Sequence, residues 1–262
     1  MTIDPIFLAT AIEAVIRAGD LQIARFGTGV RVAKKGIIDL VTEVDLEVER
    51  AFRALIADRF PSHDVLAEEL GGPSTGASHR WVFDPLDGTT NFAHGIPIFC
   101  ASLALEIDGE AVLGAVYDPN RRELFTAERG VGSWLNGQRL NTSLATSVIE
   151  SVLVTGFPYD VQSNPEGFLQ VFGRVLQRAR AVRRLGSAAI DLCWVAAGRM
   201  EGFWEEQLQP WDTRAGALIL QEAGGRVTGM DGRSWDPANG DILGSNGHIH
   251  DELLQIINEG RR

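Results

Sequence analysis

Two aspartates separated by a proline and a leucine, Asp84-Pro85-Leu86-Asp87, run directly into Gly88-Thr89-Thr90-Asn91-Phe92, and this stretch is the best equipped for chemistry in the sequence. Carboxylates three residues apart, with Pro85 stiffening the backbone between them, suit a hard cation. Gly88 and the threonines that follow can turn backbone N–H groups and hydroxyls toward an anion. Asp-Pro and Asp-Gly are each ordinary turn formers. The nine residues together combine a cation site with an anion site. Other carboxylates that could complete it sit where elements end or begin: Glu68 and Glu69, Asp212 after Trp211, and Asp39 and Asp45 around the start of a helix. Asp212 also reads as a helix N-cap, and Asp39 and Asp45 as acids favoured near a helix N-terminus. No Ser/His/Asp or Cys/His nucleophile arrangement competes.

Hydropathy periodicity predicts the elements that carry these groups. Leu8, Ile12, Val15, Ile16, Ile23 and Phe26 fall at helical spacing, so the first helix runs from about 6 to 26. A Gly27-Thr28-Gly29 loop and a basic, hairpin-like segment with Lys34, Lys35 and Gly36 follow. Val44, Val48, Phe52, Leu55 and Ile56 mark a second helix that begins near Thr42 or Glu43 and ends before Pro61, which places Asp45 in its first turn. Asp64 to Ala67 reads as a strand delivering Glu68 and Glu69. Trp81-Val82-Phe83 reads as the buried strand that feeds Asp84. Turn signals at Asp108-Gly109, Asp118-Pro119-Asn120, Arg129-Gly130 and Asn136-Gly137 predict an antiparallel meander between Ile98 and Leu140.

Beyond Val148, strands at 151–155, 200–205 and 225–228 alternate with helices at 166–178, 187–198, 212–223 and 250–258, which predicts a second sheet in a layered arrangement. The fold class is therefore α+β. An N-terminal half, 1–142, carries the Asp84 to Phe92 motif, and a C-terminal half, 143–262, supplies Asp212. His248 and His250 at a helix entry favour a loop or cap over a metal site.

Composition narrows the partners. With 24 basic and 35 acidic residues the net charge is -11, which argues against a nucleic-acid or anionic-membrane surface. No stretch approaches the roughly 18 apolar residues needed to span a bilayer. Cys100 and Cys193 lack CxxC or Cys/His metal spacing and read as buried thiols of a reducing, cytoplasmic compartment.

Taken in order, Asp39-Leu40-Val41-Thr42-Glu43-Val44-Asp45, Ala67-Glu68-Glu69, Asp84 to Phe92, Gly186-Ser187-Ala188-Ala189, Pro210-Trp211-Asp212 and Glu222-Ala223-Gly224-Gly225 resemble the inositol monophosphatase family over nearly the whole chain. The resemblance implies a layered αβαβα sandwich of the sugar-phosphatase type, with an antiparallel sheet in the first half and a mixed sheet in the second. It also implies a magnesium-dependent, lithium-sensitive phosphomonoesterase, commonly a homodimer, that uses two or three Mg²⁺. Carried over, Glu68, Asp84 and the Leu86 carbonyl would hold one ion, and Asp84, Asp87 and Asp212 a second. Gly88 and Thr89 would present N–H groups to the phosphate. Asp45, Glu68 and Thr89 would be the catalytic groups, with Asp45 and the Thr89 hydroxyl orienting and deprotonating the attacking water. Ala188, Glu205, Arg183 and Lys34 would contact substrate.

Inositol 1-phosphate is the first substrate this resemblance suggests, within a class of small phosphorylated polyols and sugars. Related enzymes on the same scaffold hydrolyse fructose 1,6-bisphosphate, histidinol phosphate or 3'-phosphoadenosine 5'-phosphate, and a non-catalytic regulatory protein can retain the fold. Gln207 stands where the family commonly has glycine, and Leu70 where a small residue is usual. Both departures bear on the alcohol pocket rather than on the metal ligands.

Overall fold

The computed structural model describes residues 3–34, 36, 40–72, 75–158, 160–163 and 165–260; Asp39 and Lys35 lie outside them. The N-terminal region contains α1 (Pro5–Arg25), β1 (Val32–Lys34), β2 (Leu40–Thr42), α2 (Glu43–Arg59), β3 (Asp64–Ala67), β4 (His79–Asp87) and the short α3 (Thr89–Ala93). The meander then supplies β5 (Cys100–Ile107), β6 (Glu110–Asp118), β7 (Glu123–Glu128), β8 (Gly132–Leu135) and β9 (Gln138–Arg139). In the remainder lie β10 (Val152–Thr155), α4 (Glu166–Leu176), β11 (Ala181–Arg183), α5 (Ala188–Ala196), β12 (Gly202–Glu205), α6 (Pro210–Glu222), β13 (Arg226–Thr228), β14 (Ile242–Ser245) and α7 (His250–Gly260).

Local chemistry explains the boundaries. The Asp4 carboxylate accepts from the Ile6 N–H at 3.0 Å and Pro5 opens α1, the usual opening chemistry of a helix. At α2 the Thr42 hydroxyl accepts from Val44 N while Asp45 Oδ2 accepts from Thr42 N at 2.9 Å, a reciprocal capping box. The ring of His250, the first residue of α7, bridges Ser245 Oγ at 2.9 Å and Thr228 Oγ1 at 3.0 Å, and burial pushes its pKa down to about 4.

Strands β3 to β9 form a seven-stranded sheet in sequential order, antiparallel except that the edge strand β3 runs parallel to β4. A five-stranded mixed sheet has the order β11-β10-β12-β14-β13, with β11, β10 and β12 mutually parallel. Helices α1 and α2 cover the outer face of the first sheet, α5 and α6 lie between the sheets, and α4 and α7 cover the outside of the second. These five layers enclose three apolar clusters. One is centred on Trp81, Phe83 and Leu103 under α1 and α2, one on Cys193, Phe203 and Leu218 between the sheets, and one on Leu153, Val175 and Leu253 under α4 and α7.

Two strands escaped the periodicity reading. β11 is three residues long in an arginine-rich stretch, and β14 carries Gly244 in its middle. Too few alternating positions were present in either to register as a period.

Candidate active site

A cavity of about 550 Å³ is lined by Glu68, Asp84, Leu86 to Asn91, Phe157, Pro158, Arg184, Gly186 to Ala188, Glu205 to Gln209, Trp211 and Asp212. Its walls come from strand ends. β3 delivers Glu68 and β4 delivers Asp84 and Asp87. The parallel strands β11, β10 and β12 send the chain into the cavity at Arg184, Phe157 and Glu205. Loops at the carboxyl ends of parallel strands are the usual ligand positions of such sheets.

In a regular strand, side chains three residues apart point to opposite faces. Here β4 pairs Asp84 with Ser102 but Asp87 with Cys100, so three steps on one strand oppose two on its neighbour. This bulge, at a Pro85 that has no N–H for the ladder, brings both carboxylates to the same cavity. Gln22 of α1, fully buried, pins it: Nε2 donates to Pro85 O at 2.7 Å and Cys100 O at 3.2 Å. Its only sequence signal was an amide on an otherwise apolar helix face. Gln22→Leu leaves these carbonyls without that donor, a loss of about 1–3 kcal/mol. The expected result is a lower melting temperature and a weaker thermal shift on adding Mg²⁺, read by melts with and without the ion.

Each acidic group is held by its own surroundings. Asp84 Oδ1 accepts from Leu86 N at 2.9 Å. Asp87 Oδ2 accepts from Ser187 Oγ at 2.7 Å and Ala189 N at 2.8 Å, so a carboxylate from the first sheet caps α5 in the second half. Asn91 makes a parallel tie, donating to Ile98 O and Leu185 O at 2.8 Å each. Asp212 is not the N-cap of α6 as its sequence position suggested. Gln209 is the N-cap, and Asp212 stands at the third helical position, accepting from Gln209 N at 2.7 Å. Pro210 fills the first helical position and shifts the start of the helix upstream.

Electrostatically the cluster is overloaded. Burial, then the neighbouring charges of Glu68, Asp87 and Asp212, push the Asp84 carboxyl well above the usual carboxylate range. Asp212 is raised in the same way by burial and by Asp87. Burial raises Asp87 to about 6 despite its bonds from Ser187 and Ala189. Arg184 is the one cationic side chain among the described lining residues. Asp45, fully buried behind this group, is raised to about 6 by burial, and its Oδ1 accepts from Thr89 Oγ1 at 3.1 Å. The Thr89 hydroxyl also lies 2.9 Å from Leu86 O, so one proton serves two acceptors.

Gly88 turns the chain between the acids and α3 at φ +98°, and a Cβ there would lie 2.8 Å from Ile98 O. Glu205 reaches the cavity from the end of β12 with its pKa raised to about 8, first by burial. Its carboxylate lies against Gly156, where a Cβ would come within 2.0 Å of Oε1.

Other predicted residues fall elsewhere. Ala188 is in the lining, but Arg183 is exposed on β11 and donates to its neighbour's carbonyl, and Lys34 is exposed on β1; neither lines the cavity. The guanidinium there belongs to Arg184, one residue past the end of β11. Asp191, fully enclosed in α5, is a further acid near Glu205 and Asp87; burial pushes it well up, and its Oδ1 has no hydrogen-bond partner. A single acid in the apolar run from 188 to 197 was its sequence signal.

Cation binding can be tested against this donor set. Asp84, Asp87, Asp212, Glu68 and the Leu86 carbonyl offer oxygen only, the preference of Mg²⁺ and not of a soft metal. Among the described residues, no three His, Cys, Asp or Glu side chains are drawn into a ready chelate. The surplus of buried negative charge is the feature a divalent ion would neutralise.

Comparison with known proteins gives a consistent picture. Residues 6–262 match the Inositol monophosphatase family. The chain is 40% identical over 253 residues to an inositol-1-monophosphatase of Mesorhizobium japonicum, covering 95% of each chain. It is 40% identical over 250 residues to the Nus factor SuhB of Escherichia coli K12, covering 94% of each. A solved inositol monophosphatase from Anabaena superposes with a TM-score of 0.89 at 38% identity, covering 97% of this chain and 96% of that one.

Proposed function

Because the chain belongs to the inositol monophosphatase family, we propose that it is a Mg²⁺-dependent phosphomonoesterase acting on a small polyol phosphate, inositol 1-phosphate first. The observation that carries this reading is the convergence of Asp84, Asp87 and Asp212 with Glu68 on one cavity wall, each of the three aspartates pushed up by burial and by its neighbours. Glu68, Asp84, the Leu86 carbonyl, Asp87 and Asp212 would hold the ions. When bound, Mg²⁺ polarises phosphoryl oxygens, lowers the pKa of water and stabilises the leaving alkoxide.

The remaining work falls to the chain. The N–H groups of Gly88 and Thr89 orient the phosphate. Thr89 Oγ1 and Asp45 form a proton path leading away from the cavity, and a carboxylate with a pKa of about 6 is a competent acceptor near neutral pH. Arg184 counters part of the phosphate charge, and the Glu205 carboxyl, with its pKa raised to about 8, hydrogen-bonds hydroxyls of the alcohol. Attack in line by water, with no covalent enzyme intermediate, needs no nucleophilic side chain.

The test is phosphate release, with and without millimolar Mg²⁺, from inositol 1-phosphate, fructose 1,6-bisphosphate, histidinol phosphate and 3'-phosphoadenosine 5'-phosphate at equal concentration. Inositol 1-phosphate is expected to be turned over fastest, only with Mg²⁺, and Li⁺ is expected to inhibit. A tenfold preference for another ester would overturn the inositol assignment. Silence toward every ester would overturn catalysis and favour a regulatory role for the fold.

A further inference from the structure

Gln207 is one of four non-glycine residues with positive φ among those described, at +63°, and the one of the four that lines the cavity. That conformation costs a side-chain-bearing residue roughly 1–2 kcal/mol. Strain of this kind persists where surrounding structure over-determines it, and it gathers at ligand clamps. The surroundings here are specific. Leu208 N donates to Gly240 O at 2.8 Å, and a Cβ on Gly240 would lie 3.3 Å from Gln207 Cα, so the backbone is seated on the loop before β14. From that seat Gln207 Nε2 donates to Asp160 Oδ2 at 3.2 Å. The bond joins the loop after β12 to the loop after β10, the two neighbouring parallel strands whose ends form the wall beside Glu205.

We propose that Gln207 is a specificity-determining residue: its bridge to Asp160 draws these two loops together over the leaving-group side of the cavity and selects compact, polyhydroxylated alcohols. The bridge narrows the mouth against a bulky leaving group. It also sets Asp160 beside the lining carboxyls Glu205 and Glu206, a rim of oxygens that suits the hydroxyls of a polyol, with Arg184 as the one cationic side chain among the described lining residues. A glycine at this position would relax the backbone and leave the two loops untied. The inference rests on the phosphatase reading above and concerns the same cavity.

The experiment compares wild type with Gln207→Gly, which removes the amide while easing the backbone and so is expected to fold at least as well. Michaelis parameters with Mg²⁺ are measured for inositol 1-phosphate, glycerol 2-phosphate and adenosine 2'-monophosphate. The expected result is at least a fivefold fall in the kcat/KM preference for inositol 1-phosphate over adenosine 2'-monophosphate, carried mainly by KM. Asp160→Ala should reproduce that fall, and the double variant should add little to either single one. Equal losses on all three esters, leaving the preference within twofold of wild type, would mean a merely structural role and overturn the proposal. A wild type that releases phosphate from none of them overturns the phosphatase reading and this inference with it, whereas an active wild type with an unmoved preference overturns this inference alone.

Discussion

Asp84→Asn is expected to cut Mg²⁺-dependent phosphate release by at least ~10²-fold, the scale of losing one charge-stabilising group, and at the same time to raise the melting temperature of the metal-free protein. The two effects share a cause. Asp84 is 2% exposed and faces the charges of Glu68, Asp87 and Asp212, so in the absence of cations its ionisation works against the fold. Asparagine keeps the size and keeps an oxygen for the Leu86 N–H, but it cannot ionise. At this chain length ~1 kcal/mol moves the melting temperature by roughly 2–4 °C.

The pH dependence has a definite sign. Folded-state pKa values raised above the unfolded ones mean that the folded chain holds more protons, so metal-free stability falls as pH rises from about 4 through the folded values, Asp87's being about 6. Mg²⁺ should reverse that fall in the wild type and do so much less in Asp84→Asn. Thermal melts across pH 4–8 with and without Mg²⁺ read this independently of turnover. An unchanged Mg²⁺ shift in the variant would remove Asp84 from the ligand set.

Gly88→Ala is expected to be costly for fold and site together. The residue sits at φ +98°, where any Cβ is strained, and the added carbon would lie 2.8 Å from Ile98 O, 3.2 Å from Phe99 Cα and 3.3 Å from Gly186 O. Two backbone segments, 98–99 and 186, close on that point, so neither can yield without moving either β5 or the turn before α5. A loss of about 2–4 kcal/mol follows from left-handed strain plus overpacking. Because Thr89 N follows directly, the N–H groups proposed to orient the phosphate shift with it, and kcat/KM should fall at least ~10²-fold even at temperatures where the variant is folded, since small misplacements at a reacting centre carry that penalty. Circular dichroism melts beside phosphate release separate the two losses.

Much of this was legible from residues close together in the chain. The nonapeptide from Asp84 to Phe92 carries its chemistry in consecutive positions, and helical or alternating apolar spacing announced α1, α2, α6 and the meander. Residues whose role depends on what lies across the cavity were hidden. Gln22 looks like a stray amide until α1 packs beneath the β4 bulge. Arg183 and Arg184 are indistinguishable as neighbours in a basic run, because a one-residue shift at the end of a short strand changes which side chain faces the site. Asp212 reads as a cap until Pro210 sets the helix start two residues earlier.

By itself the sequence determined the α+β architecture and which residues could pair a cation site with an anion site, because both depend on residue type and on local period. Tertiary structure decided which carboxylates share one cavity. It bent β4 so that Asp84 and Asp87 point the same way, let Asp87 cap α5 across the interface, and placed the ends of β11, β10 and β12 side by side. Strand pairing between distant segments has no signature in local spacing, and the cavity is made at those pairings.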